Sequence, residues 1–546
     1  MGYAHGYANA VMQRGRVPME PADFVPDWAD RPRKGKFFPQ AEDFPLPDSD
    51  APPTATVEQG LFGPAADGGF TLSLLGGMLQ DSYGLTGRRL AVHANSDLGT
   101  LPHYTHANWS RGTASGGGLY PIGIHWVAGP SGPLTPGIYH YATPHHSMQR
   151  LLTGDLTPEI RAALGERPGV AAESDQFLVL GVKFWQNAFK YNSFSYHVVA
   201  MDIGALLGTW RLWARARGLR IGPLLWFDEA RIGRLLGFSP EEEGVFAVVP
   251  LRWQSRLDAP PPTAGPDAVP AAAPSGSPVP ARVRLTDRER SRRVFGFETV
   301  RRIHAATLER ATDRPTPAAL AGALERPALP TTGAPLPLPP ARPLALGVRE
   351  ALRARRSSFG RFTGTRPVAA EDLAATLAAA AAGADLGGDG PDPRPSGGPP
   401  LAGLYVFVNR VEGVPAGTYG YDAPSGSLRP LKPGPPGAFL QSNYFLSNYN
   451  LEQAGAVIVP AVPTAAVLDA VGDRGLRLVN AAVGAISQAV YTASAALGLA
   501  CGVALGFDCV SYAEELGLDG PGETPLLIMM IGHERPQPAD FSHAIA

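Results

Sequence analysis

At 546 residues the chain is too long for one ordinary core, so two or more domains are expected. A formal net charge of −2 leaves no basic footprint for nucleic acid, and the two cysteines, Cys501 and Cys509, exclude a disulfide scaffold and a four-cysteine zinc site. The start, Met1-Gly-Tyr-Ala-His, lacks the charged and apolar regions of a signal peptide, and no run approaches the roughly 18 apolar residues of a membrane span, so a cytoplasmic protein is expected.

In chain order, a Pro-rich entry at 44–53 precedes a helix expected at about 71–79. A glycine-rich loop, Arg111 to Gly118 (RGTASGGG), leads into an apolar strand at 122–128. A tyrosine hairpin (TPGIYHY, 135–141) and a second apolar strand at 177–182 follow. Lys190-Tyr191 comes just before a long helix with apolar spacing, about 196–217. The run RGLRIGPLLWFD (217–228) and a strand at 245–250 close this half. A Pro/Ala tract then reads as a solvated, extended linker, dividing the chain into a domain over 1–257, a linker over 258–285 and a domain over 286–546. The segment 291–307 has helical spacing and a basic face and reads as a structural arm.

The second domain repeats the first. After its own Pro-rich entry at 329–343 come a helix at about 372–382, strands at 403–408 and 456–459, a long helix at about 476–497 and a last strand at 525–531. PAGTYGY (415–421) answers TPGIYHY, and LGLACGVALGFD (497–508) answers RGLRIGPLLWFD. Gly137, Tyr139, Tyr141, Gly204, Gly218, Gly222 and Phe227 all recur 280 positions later. Interspersed strands and helices with hairpins indicate an α+β layer fold, each half a mixed central sheet flanked by helices. The two long apolar helices could pack the halves together as an intrachain pseudo-dimer.

One feature of the second half has no counterpart in the first. The run from Arg353 to Phe362 (RARRSSFGRF) packs four arginines and two serines into ten residues. Arginine forks and serine hydroxyls suit a phosphate, though the run alone reads equally as a solvated basic turn. Taken together, the RRS turn, the R-x-x-x-S-G-G loop, the PxGxYxY hairpins and the LGL…GFD closure resemble the nitroreductase-like flavoproteins. Within them, they resemble most the branch of azoline dehydrogenases that oxidises thiazoline and oxazoline rings in ribosomally made peptides. The likeness covers nearly the whole chain outside the linker.

That resemblance implies FMN between two subunits, with a Lys-Tyr pair at the start of the long helix acting in catalysis. It also implies sites distributed unequally between these halves. The second half has the basic turn and the small-residue loop Val503-Ala504-Leu505-Gly506; the first has no Lys or Arg between Phe37 and Gly87 and has Trp226 where Gly506 stands. The first half has the Gly loop and Lys190-Tyr191; the second has Ser396-Gly397-Gly398-Pro399-Pro400 and Ala470-Val471. The losses are complementary, so one FMN per chain is expected between the halves. Arg355, Arg356, Ser357 and Arg361 are expected at its phosphate, although the family commonly has its third basic residue nearer the serine, where Phe359 stands. Arg535, after the last strand, reads equally as a further phosphate contact or as a surface basic residue. Arg111, Ser115, Gly116, Gly117, Asn443, Val503, Ala504, Leu505 and Gly506 are expected at the ring. Lys190 and Tyr191 are the catalytic pair, either one the base. His197 is expected to be packed, the two cysteines structural, and no metal site is expected from His103, His106, His145 or His146. The implied partners are an azoline-containing precursor peptide and its cyclodehydratase, with oxygen reoxidising the flavin. The competing readings are a small-molecule nitroreductase or flavin oxidase, and a flavin-free scaffold that docks a leader peptide.

Overall fold

A computed structural model of the chain describes residues 2–49, 54–64, 66–90, 107–254, 281–326, 331–390, 400–518, 520, 522–535 and 542–545. Most of the expected linker, His103, His106 and the loop at 396–399 lie outside the described residues.

The first half builds a six-stranded sheet from β1 (Glu42–Pro45), β2 (Ile122–Ala128), β3 (Gly137–Ala142), β4 (Ser147–Thr153), β5 (Gln176–Lys183) and β6 (Glu243–Pro250), in the order β1-β4-β3-β2-β5-β6. The second half builds a nine-stranded sheet from β7 (Leu336–Pro337), β8 (Phe362–Thr363), β9 (Gly403–Val408), β10 (Gly417–Asp422), β11 (Ser427–Pro433), β12 (Ala456–Val462), β13 (Ala500–Ala504), β14 (Thr524–Pro525) and β15 (Ile528–Glu534). Its main order is β8-β15-β12-β9-β10-β11-β7, with β13 beside β15 and β14 beside β12. Among the described residues these strands pair antiparallel, and parallel neighbours occur as single bridges such as Ser357–Cys501 and Phe70–Trp253. The expected mixed character therefore sits at the rims. A short third sheet joins Ser542–Ala544, at the far end of the chain, to Gly87–Leu90 of the first half.

The repeat is legible atom by atom. Tyr139 Oη donates to Thr135 O, and Tyr419 Oη donates to Pro415 O. Both hairpins carry a bulge at the same register, between Ile138 and Tyr139 and between Thr418 and Tyr419. The Asp that ends each closing run is a helix cap: Asp228 accepts from Arg231 N (2.9 Å), and Asp508 from Val510 N (3.1 Å) and Ser511 N (3.3 Å). The capped helices, Glu229–Leu236 and Cys509–Leu516, both stop at a left-handed glycine, Gly237 and Gly517.

Five helices position the site: α1 (Tyr3–Gln13), α2 (Trp185–Tyr191), α3 (Ser195–Arg215), α4 (Val348–Ala354) and α5 (Gly475–Ala496). The long pair, α3 and α5, buries 18 of 21 and 20 of 22 residues. They touch backbone to backbone: a β-carbon on Gly204 would overlap the Ala481 carbonyl, and one on Gly484 would overlap the Met201 carbonyl. Residue 204 meets the counterpart of 201, and 484 meets 201 itself, which is the self-complementary pattern of a two-fold interface inside one chain. One continuous apolar core runs through both sheets, with Trp126 and Leu178 from the first and Val406 and Ile458 from the second. Among the described residues no helix is long and apolar enough to cross a membrane.

Candidate functional site

Two elements of the first half meet at one glycine. Helix α2 breaks at Asn192, whose backbone turns left-handed (φ 41°) before α3 begins. The break is tied down by the amino-terminal arm: Tyr7 Oη donates to Ser193 O (2.9 Å) and Asn192 Nδ2 to Pro21 O (3.3 Å). It leaves Lys190 and Tyr191 facing the Gly loop. Gly117 has φ 62°, and a β-carbon there would lie 2.7 Å from Tyr191 Oη and 2.8 Å from Lys190 Nζ. Only glycine lets the loop pass this close at that backbone angle.

Asp202, two turns into α3, fixes the loop from below. Its two carboxylate oxygens accept Ser115 Oγ (2.7 Å) and Gly116 N (2.8 Å), and Ser115 Oγ in turn accepts Tyr120 N (2.9 Å). Burial pushes the Asp202 carboxyl up to about 7 against the pull of those two donors. Burial also lowers the Lys190 ammonium below the usual lysine range. Burial, helped by the Asp202 charge, raises the Tyr191 phenol. Desolvation thus disfavours the charged form of both Lys190 and Tyr191.

The second half supplies the opposite wall and reaches across to hold the loop. Helix α4 ends at Arg355, whose Nε donates to Gly112 O (2.8 Å) and Nη2 to Arg111 O (3.0 Å). From α5, Gln488 accepts Ala114 N (3.0 Å) and donates to Gly112 O (3.1 Å). Ser358 stitches the basic turn to β13, its N donating to Cys501 O (2.9 Å) and its Oγ accepting Cys501 N (3.1 Å). Ser357 Oγ lies 2.7 Å from Tyr491 Oη. Arg356 pairs with Glu534, which stands 4.0 Å from Arg361 Nη1, and Arg535 Nη2 donates to Gly360 O (2.8 Å). A cleft of about 210 Å³ opens beside this turn, lined by Arg355, Arg356, Tyr491, Cys501 and Glu534.

Beyond β13, Gly506 O accepts Phe445 N (2.8 Å), and Asp508 N donates to Asn443 O (3.0 Å). The amides of Leu505 and Gly506 find no acceptor among the described residues. Tyr444, on the same loop, feels the Tyr191 phenol, which adds to burial in raising its own pKa. The loop that carries Tyr444, paired with residues 506–508, is thus within electrostatic range of Tyr191.

The mirror-related location is closed. Leu225 N and Trp226 N, the counterparts of Leu505 N and Gly506 N, donate to Asp389 Oδ2 at 2.9 and 3.1 Å. Asp389 is fully enclosed and paired with Arg167 and Arg314. Trp226 is fully buried, and Arg474 from α5 donates to Leu225 O (2.6 Å) and pairs with Glu229 (2.9 Å). An internal carboxylate and an indole occupy the mirror position.

Most of the residues singled out by sequence come together here, with three differences of role, the first being Arg355, which was expected at the phosphate and instead spends Nε and Nη2 on the Gly112 and Arg111 carbonyls. Arg111 is a brace: it is buried between the Tyr83 and Tyr120 rings (4.6 and 4.2 Å) and donates to Lys34 O (3.1 Å). Asn443 spends its amide within its own turn, donating to Phe439 O (2.9 Å). His197 is buried and held down to about 3, and both cysteines are buried with raised pKa. Among the described residues no cluster of His, Cys, Asp or Glu could hold a metal. Asp202, Gln488, Tyr444 and Glu534 were not foreseen. Asp202 had a signal, being the only charged residue between Ser195 and Trp210 in an otherwise apolar helix.

Residues 352–533 match the Nitroreductase family. A candidate nitroreductase of Anabaena variabilis has the same fold from end to end: 21% identity, 98% of this chain and 100% of that chain covered, TM-score 0.70. A candidate nitroreductase of Ralstonia eutropha is 22% identical over 39% of this chain and 96% of its own, at a TM-score of 0.29. The Escherichia coli microcin synthetase McbBCD complex with truncated pro-MccB17 is 20% identical over 33% of this chain and 71% of its own, at 0.27, too low to carry an argument. No curated protein matches.

Proposed function

We propose that this protein is an FMN-dependent azoline dehydrogenase, converting thiazoline or oxazoline rings of a ribosomally made peptide to thiazole or oxazole. A nitroreductase-family domain points to flavin oxidoreduction. The carrying observation is the asymmetry between the two mirror positions. One has Lys190 Nζ and Tyr191 Oη converging on Gly117, with the Leu505 and Gly506 amides unclaimed; the other has its equivalent amides taken by Asp389 and its space filled by Trp226.

The residues present fit one FMN. Arg356, Ser357, Arg361 and Arg535 would hold its phosphate, with Glu534 as the anion that phosphate displaces. The Leu505 and Gly506 amides and the Ser115–Gly118 loop would hold its ring. Bound there, the flavin supplies the two-electron acceptor for the hydride that leaves the ring CH2. The remaining hydrogen is the acidic one, on the ring carbon bonded to nitrogen and to the peptide carbonyl. Lys190 Nζ, its charged form disfavoured by desolvation, takes that proton. Tyr191, kept protonated by burial and by Asp202, donates its O–H to the substrate and orients it. Asp202 keeps the loop and Tyr191 in register.

The test has two parts. Denatured protein should release FMN, identified by spectrum and mass, at one per chain. An azoline peptide should then lose two hydrogens per ring. Two FMN per chain would overturn the single-site reading, and NAD(P)H consumption without any peptide oxidation would replace it with a small-molecule reductase.

A further inference from the structure

Helix α2 carries Lys190 and Tyr191 at one end and an aromatic face at the other, and that face continues to the surface. Trp185 and Phe189 pack edge to face (5.8 Å), Trp28 meets Phe189 (5.0 Å), Phe295 meets Trp185 (5.6 Å), and Phe24 meets Phe295 (6.0 Å). Trp28 remains 51% exposed and Phe295 49%. These rings come from two segments far apart in sequence that lie side by side. Phe37 N donates to Asp287 Oδ1 (2.8 Å), Arg288 N to Phe37 O (2.9 Å), and Arg292 N and Arg293 N to the Asp30 carboxylate (2.7 and 2.9 Å).

This pairing spends acids and leaves cations unspent. Asp30 is used on backbone amides, and Asp287 and Glu289 both pair with Lys183 at 2.7 Å. Arg31, Arg33, Arg288, Arg290, Arg292 and Arg293 are exposed and have no ion-pair partner among the described residues. Lys34 links this surface to the site, because Arg111, Arg31 and Lys190 together depress its pKa beyond the effect of burial. A protein of net charge −2 thus concentrates arginines around half-exposed aromatic rings beside its Lys-Tyr pair.

We infer that this arginine–aromatic platform docks an acidic, apolar segment of the peptide substrate, next to the ring being oxidised. The inference rests on the peptide-azoline reading for its substrate and on charge complementarity for its location. From Trp185 to Lys190 is about 8 Å along the helix at 1.5 Å per residue, so two to four extended residues, at roughly 3.3 Å each, separate the docked segment from the ring. Guanidinium groups hold the carboxylates, and Trp28 and Phe295 take the apolar side chains.

The test separates this surface from the chemistry. A fluorescein-labelled peptide of alternating Glu and Leu, without any azoline, is titrated by anisotropy into wild type, Arg292→Glu/Arg293→Glu and Trp28→Ala. Arg292 and Arg293 hydrogen-bond Asp30 through their backbone amides, and their side-chain charges act on that exposed carboxylate only through solvent, so thermal melts should change little. Affinity should fall roughly tenfold in each variant and weaken with salt. A minimal azoline lacking an acidic extension should turn over equally in all three proteins, whereas a substrate with the extension should show a raised KM in the variants at constant kcat. Equal binding by wild type and both variants would overturn the inference, as would preference for a single-stranded RNA of equal charge. Peptide binding that survives when azoline oxidation is absent would instead leave the platform standing and remove the proposed reaction.

Discussion

Replacing Asp202 with Asn tests how the Gly loop is held. The carboxylate accepts two donors with two oxygens, Ser115 Oγ at 2.7 Å and Gly116 N at 2.8 Å. An amide of the same shape has one acceptor atom, so one bond is lost and an NH2 group faces a donor. A hydrogen bond to a charged group is worth about 1.5–3 kcal/mol. At about 1.4 kcal/mol per tenfold, kcat/KM on an azoline peptide should fall roughly 10- to 100-fold with FMN content retained. The pH dependence carries a second signature. The unfolded carboxyl has a pKa of about 3.9, and burial raises the folded one to about 7. Between those values the fold keeps a proton that the unfolded chain releases, so the contribution of this carboxyl to stability is greatest below about pH 4 and is lost as pH rises toward 7. The slope approaches 1.4 kcal/mol per pH unit. Asp202→Asn should remove that slope, read from urea midpoints at several pH values, and should also flatten the wild-type activity inflection near 7. A variant with wild-type turnover and an unchanged stability slope would refute the assignment of loop order to this carboxylate.

Lys190→Ala should lower azoline turnover about 10²- to 10⁴-fold with FMN still bound, and Tyr191→Phe should cost less under the proposed division of roles, in which the phenol donates and the lysine is the base; stopped-flow flavin reduction distinguishes them, and equal, undiminished rates would remove both roles. Asp389→Ala leaves Arg167 buried without its partner and should destabilise the fold by about 3–5 kcal/mol in chemical denaturation. FMN content should stay at one per chain, because Trp226 still fills the mirror position. Glu534→Gln frees Arg356 of its internal anion, so FMN should bind several-fold tighter, with a steeper salt dependence in fluorescence titration.

The repeat made much of this fold readable in advance. Helices expected at about 196–217 and 476–497 are Ser195–Arg215 and Gly475–Ala496, displaced in register by a residue or two at each end. The GFD and WFD endings mark capped helices because an Asp cap depends on local geometry alone. What stayed hidden was long-range. Nothing near Glu534 in sequence shows that it meets Arg356, 178 positions away. Nothing near Arg111 shows that Tyr83 and Tyr120 enclose its guanidinium, so a residue expected to face a ligand proves to be an internal support. Trp226 was legible as a filled position, but the carboxylate that caps the adjacent amides comes from Asp389, in the other half. Asn443 was placed near the right loop, but its amide closes its own helical turn.

The crossing of α3 and α5 also bears on how the chain is made. Helix α3 buries nearly its whole circumference, yet the face that meets α5 waits for a segment 280 residues downstream. At about 5–20 residues per second, the ribosome needs roughly 15–55 s to deliver it. For that interval the nascent first half presents an uncovered apolar ridge around Met201 and Gly204. Ser542–Ala544 reach their pairing strand at Gly87–Leu90 later still. Any holding factor that shields α3 until α5 arrives should therefore govern the yield of folded protein more than the stability of the finished molecule does.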